Sequence, residues 1–242
     1  MSTAPEPRTA FDIETINAEI PDDEEFDMKN SEHVEMFCIC AAYQPEPAKP
    51  VDYEVFFRED SSPEAELDVI EETVQWLESK PGHTLLTYNG NSFDIPHLEE
   101  RARIAAETID RRFNVPERVE SFLKGTGSVD LYPCVTDALG EKVQFEEACE
   151  RFEIRVPETP LDEYEMGIDP IPQRPTYKGI EPVFKGCDVP VVGERYLKLA
   201  DVGATDTLVF QEMRAALDHY ATTDVTPLFE LADRVPIVDA AN

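Results

Sequence analysis

Polar and apolar residues alternate along "RTAFDIETIN" (residues 8–17), which places Phe11 and Ile13 on one face of a strand and Asp12 and Glu14 on the other. Two further strands are expected in "EMFCICAAY" (35–43) and "VDYEVFFRED" (51–60), separated by the proline-rich "QPEPAKP". The charged run "PDDEEFDMKN" reads as the loop that follows strand one. The period then changes. In "SSPEAELDVIEETVQWLESK" (61–80), Leu67, Ile70, Val74 and Leu77 recur at helical spacing behind a Ser cap and a Pro at the start. "HTLLTYNG" (83–90) is a short buried strand, "IPHLEERARIAAETIDRRF" (95–113) a helix, "GSVDLYPCV" (127–135) a fifth strand and "FEEACERF" (145–152) a helix. Residues 153 to about 195 carry seven prolines and no sustained period, so they are read as one long irregular excursion. Helical spacing returns through "LVFQEMRAALDHYATTDVTPLFELADRV" (208–235), with Leu208, Met213, Leu217, Tyr220 and Asp224 toward one side. A first group of strands followed by strand and helix in alternation predicts a single α/β domain over residues 1–242.

Charge changes this picture more than length does. Asp plus Glu number 52 against 21 Lys plus Arg, a formal charge of -31, and the acids run from end to end. Such a chain repels itself in dilute buffer, whereas molar salt shortens the Debye length to about 3 Å and screens the repulsion. Lysine is also scarcer than arginine, 8 against 13. These features predict a halophilic protein adapted to a salt-rich cytoplasm. The N-terminal "MSTAPEPRTA" has no apolar core and no run approaches about 18 apolar residues, so neither a secretion signal nor a membrane partner is expected. The five cysteines lack zinc-site spacing. Cys38 and Cys40 fall on one face of a strand, as buried free thiols would in a reducing compartment.

Three short stretches remain unexplained by packing. "FDIET" puts Asp12 and Glu14 side by side, "YNGNSFD" ends with Asp94 at a strand-to-helix boundary, and "YATTD" places Tyr220 and Asp224 four apart on one helical face. In this order and on these elements they resemble the three motifs of the DEDD superfamily of 3'-5' exonucleases, in the form found in family B DNA polymerase proofreading domains. The resemblance spans Phe11 to about Asp233, leaves 153–195 unmatched, and has no polymerase after it, as in a stand-alone relative. It implies a ribonuclease-H-like fold: a five-stranded mixed sheet, three antiparallel strands plus two parallel, flanked by helices.

What the resemblance implies chemically follows from phosphodiester hydrolysis. Two divalent ions, Mg²⁺ or Mn²⁺, activate water and stabilise charge on the leaving oxygen, and such hard ions take carboxylate oxygens. Asp12, Glu14, Asp94 and Asp224 are the implied ligands. Tyr220 would orient the water, although "HYATTD" also fits the histidine branch through His219. On an ideal helix residue 220 lies about 40° from residue 224 and residue 219 about 140° away, which favours the tyrosine. Thr15, Asn89 and Phe93 fall where relatives touch the 3'-terminal nucleotide, and Asp130 in "SVDLY" supports the site without being a ligand. The implied activity is metal-dependent 3'-5' exonuclease action on single-stranded or frayed DNA. An exoribonuclease and a non-catalytic nucleic-acid-binding module are the alternatives. Arg101, Arg103, Arg111 and Arg112 gather on one expected helix, either to guide a nucleic acid strand or to pair with neighbouring acids.

Overall fold

The computed structural model of the protein describes residues 6–82, 84–167 and 183–236. Strands β1 (Arg8–Asn17), β2 (Val34–Gln44) and β3 (Asp52–Phe57) form an antiparallel meander, and β4 (Thr84–Thr87) and β5 (Gly127–Asp130) run parallel to β1. The sheet order is β3-β2-β1-β4-β5. Alternation along β1 divides its side chains between two cores. Phe11 and Ile13 pack with Met36, Ile39 and Leu85 beneath helices α1 (Pro63–Ser79), α2 (Asp94–Ile109) and α3 (Asn114–Gly125). The opposite face carries Ala10, Cys38, Cys40 and Leu86, covered by α6 (Val189–Asp201), α7 (Leu208–Val225) and α8 (Pro227–Arg234) and flanked by α4 (Leu131–Leu139) and α5 (Phe145–Arg151). A five-stranded mixed sheet in this order, with helices on both faces, is a ribonuclease-H-like α/β fold, as expected.

Local chemistry accounts for several boundaries. Ser62 caps α1 by accepting the Ala65 N–H at 3.2 Å, and the four apolar positions expected to face inward are all buried. The pairing of β1 with β2 shifts between Glu14 and Thr15: Glu14 opposes Cys38 and Thr15 opposes Met36, leaving Phe37 without a partner on β1. Such a bulge bends the strand and re-aims side chains, here directly beside Glu14. Glu66 on α1 holds the neighbouring backbone, accepting the Met36 N–H at 2.7 Å while paired with the buried Arg101 of α2. Gly193 allows α6 to approach the bulge, because a Cβ there would lie 2.8 Å from Ile16 Cγ2.

Several expectations are corrected. The fifth strand ends at Asp130, since Leu131 already opens α4. The irregular excursion is shorter than expected: two single 3-10 turns (Leu161–Glu163 and Gly186–Asp188) interrupt it and α6 begins at Val189, while 168–182 lie outside the described residues. Leu208 is exposed rather than inward-facing. The arginines near α2 are bound to acids. Arg101 pairs with Glu66, Arg103 with Glu100 and Glu107, Arg111 with Glu64, and Arg112 with Asp68 and Glu71.

Candidate metal centre

The acidic face of β1 does not meet solvent as an ordinary strand face would. Asp12 and Glu14 point toward the layer containing α7, whose last turn brings Asp224 against them, and ligand oxygens of these three residues lie within 4.8 Å of one another. Asp94, the first residue of α2, is buried alongside and accepts the Ile13 N–H at 3.4 Å. It is not the helix cap. Phe93 occupies that position and makes no side-chain capping bond.

Burial and mutual repulsion make these acids unusual. Desolvation, followed by the charges of Asp94, Glu14 and Asp224, holds the Asp12 carboxyl well above its ordinary range. Glu14 is raised by burial and then by Asp224 and Asp94. Asp94 is pushed up to about 7, chiefly by burial and against the stabilising N–H groups of Ile13 and its own backbone. Asp224 also rises to about 7, through burial and then the charge of Glu146, while Tyr220 and Lys185 act in the opposite direction. Four like-charged groups drawn out of water are stable as anions only beside a compensating cation. Their all-oxygen donor set suits a hard divalent ion.

The two aromatic candidates separate clearly. The Tyr220 hydroxyl lies close enough to Asp224 to favour that residue's carboxylate form, and burial followed by the Glu14 charge keeps the phenol protonated. Its ring packs against Phe184, with centroids 5.1 Å apart. His219 is turned elsewhere: its Nδ1 is 2.8 Å from the Tyr164 hydroxyl.

Thr15 sits at the bulge, half-buried beside Glu14. Phe93 is half-buried too, packed edge-on against His97 at 4.4 Å. Asn89 is exposed, in the left-handed conformation with φ 65°. The reason lies in Asp130, whose carboxylate accepts the N–H groups of Asn89 at 2.7 Å, Asn91 at 3.2 Å and Tyr132 at 3.0 Å. Asp130 thus ties the end of β4 to the end of β5, a positioning role.

A continuous groove passes over the acids. A cavity of about 220 Å³ is lined by Asp12, Tyr220 and Asp224 together with Tyr88, Gln144 and Glu146. It adjoins one of about 320 Å³ that includes Lys185 and Arg155, and one of about 270 Å³ walled by Tyr88, Tyr132 and Phe145. Lys185, Glu146 and the aromatic wall escaped sequence reasoning. They come from elements far apart in the chain, and no spacing links them.

A ribonuclease-H-like sheet carrying a partly buried carboxylate cluster at its central strand defines the class of this protein. No protein-family model and no curated protein matches the chain. Among solved structures it is similar to the family B DNA polymerase from the hyperthermophilic archaeon Pyrobaculum calidifontis, at 19% identity and a TM-score of 0.44. That match covers 95% of this chain and only 24% of the polymerase chain. No helix among the described residues is long and apolar enough to cross a membrane.

Proposed function

We propose that the protein is a metal-dependent 3'-5' exonuclease acting on single-stranded or frayed DNA ends. One observation carries the reading: the acids of three separate sequence motifs, Asp12 and Glu14 on β1, Asp94 on α2 and Asp224 on α7, are brought together by the fold, with Tyr220 beside Asp224. Asp12, Glu14, Asp94 and Asp224 would hold two divalent ions, Mg²⁺ or Mn²⁺. When bound, such ions supply a nucleophilic water at neutral pH and neutralise charge on the leaving oxygen.

The chain's own residues supply the rest. Tyr220, protonated at neutral pH, holds the attacking water by its hydroxyl oxygen rather than removing its proton. Lys185, the cation acting on Asp224, faces the phosphate that is cut. Asn89, fixed by Asp130, binds the terminal nucleotide together with Thr15 and Phe93, the last by stacking.

The test is degradation of 5'-labelled single-stranded DNA and RNA in molar KCl with Mn²⁺ or Mg²⁺. We expect a metal-dependent ladder shortening from the 3' end of DNA. Tyr220→Phe should slow it on the order of 10²-fold, the lower end for loss of one preorganised hydrogen-bonding group, and His219→Phe by less than about threefold. A Tyr220→Phe variant with full activity would remove the tyrosine from the mechanism. Preferential shortening of RNA would make the protein an exoribonuclease, and no cleavage of either polymer by folded protein would leave a binding module.

A further inference from the structure

The groove has two chemically different ends. Lys185 and Arg155 line the cavity on the Tyr220 side, beside Glu146, Glu150 and Glu158. The cavity at the ends of β4 and β5 has no cation in its wall among the described residues. It is bounded by the rings of Tyr88, Tyr132 and Phe145, with Asn89, Gln144 and Glu146 at its edge. Four of these six, Tyr88, Gln144, Phe145 and Glu146, also line the cavity that holds Asp12, Tyr220 and Asp224, so the aromatic chamber opens directly onto the carboxylates. We propose that this chamber is the subsite for the nucleobase adjoining the bond that is cut, an assignment that rests on the exonuclease reading above.

Three features point to a base rather than to packing or phosphate. Tyr88 meets both neighbours, 5.5 Å from Tyr132 at 82° and 5.3 Å from Phe145 at 59°, so that three rings at differing tilts border the cavity. Tyr88 and Phe145 pack against a core cluster, whereas Tyr132 belongs to neither, so the core does not require its ring. Most polar groups at the rim are uncommitted: the Tyr88 hydroxyl donates to the Val143 carbonyl at 2.9 Å, but the Tyr132 hydroxyl and the side-chain amides of Asn89 and Gln144 make no hydrogen bond among the described residues. Flat rings with in-plane donors and acceptors at the edge of the chamber match a nucleobase, and the chamber offers a phosphate no cation among the described residues. The chamber is also preorganised, because Asp130 holds the backbones of Asn89 and Tyr132 together.

The test uses single-stranded DNA with 2-aminopurine at the terminal, penultimate or a mid-strand position, bound to the full chain in molar KCl with EDTA. Cleavage of unmodified DNA with Mn²⁺ is followed in parallel. Stacking should quench the probe at one of the two end positions and not at mid-strand. In Tyr132→Leu the quench should disappear and affinity should fall roughly tenfold, within the range that loss of one aromatic stack produces, while Tyr132→Phe retains both. Gln144→Ala, at an exposed position, provides a second variant should Tyr132→Leu not fold; it should weaken end binding roughly threefold, as for one lost hydrogen bond. Cleavage with an end-probe signal indifferent to these variants would overturn the subsite and leave the exonuclease standing. A Tyr132-dependent quench without cleavage would do the reverse, and absence of both would overturn both.

Discussion

Asp12 sits where its charge is least welcome, half-buried and facing Asp94, Glu14 and Asp224. In the proposed function such a residue would serve metal binding at the expense of stability. Asp12→Asn keeps the shape and removes one repelling charge. The metal-free variant should therefore melt about 2–4 °C above the wild type, the shift that roughly 1 kcal/mol produces in a domain of this size. Its metal-dependent cleavage should fall on the order of 10²–10³-fold, the usual loss when an electrostatic stabiliser of a transition state is removed. Calorimetry and the labelled-strand assay read the two effects separately, and a variant less stable than wild type without metal would contradict the repulsion argument. The alternation around Phe11 announced the paired carboxylates directly. Nothing beside Asp130 announced that its side chain would collect three backbone N–H groups, since it caps the first turn of α4 through Tyr132 and also takes two donors from the distant loop after β4.

The bulge in β2 depends on the layer behind it. Glu66 accepts the Met36 N–H and forms paired hydrogen bonds of 2.7 Å with Arg101, which in turn donates to the Ser31 carbonyl at 2.9 Å. Removing one partner strands a buried charge, so Glu66→Ala should cost about 3–5 kcal/mol in urea denaturation, whereas Glu66→Met combined with Arg101→Met should regain much of it. A loss below about 1 kcal/mol in the single variant would show that the pair does not hold the strand. Helix α1 was legible because its cap, proline and apolar spacing agree. Helix α3 was not, because α2 ends at Asp110 and the turn passes through Arg112, both left-handed (φ 50° and 61°) without a glycine to mark the stop. Val189, Val191 and Val192 disguise the first turn of α6 as extended chain, although Pro190 is at home in a helix's first turn.

Two opposing charge effects meet in the assembled domain. Asp94 and Asp224 titrate near 7 when folded, above their ordinary 3.8. Between those values the folded state binds more protons than the unfolded state. Metal-free stability should accordingly be highest near pH 4 to 5 and decline as pH rises through 7, by up to about 1.4 kcal/mol per pH unit for each proton involved. Mn²⁺ bound to the ionised cluster should reverse the decline at pH 7 to 8. Melting curves in molar KCl with and without Mn²⁺ check this, and a metal-free melting temperature that climbs from pH 5 to 8 would contradict it. Lowering the salt should destabilise the chain at every pH near neutrality, because a formal charge of -31 then repels itself over a longer range.

Period and motif order in the sequence alone determined the class of fold, the strands that carry it and the residues that could meet in a site. Those signals are local: a two-residue alternation, a helical repeat, a tyrosine and an aspartate one turn apart. Tertiary structure decided what locality cannot express. It drew Asp12, Glu14 and Asp224 within 4.8 Å, turned His219 toward Tyr164, occupied the arginines of α2 and its flank with acids from α1 and α2 itself, and joined Tyr88, Tyr132 and Phe145 around one chamber. Each of these depends on which elements pack together, and only the closed sheet with its two helical layers sets those distances.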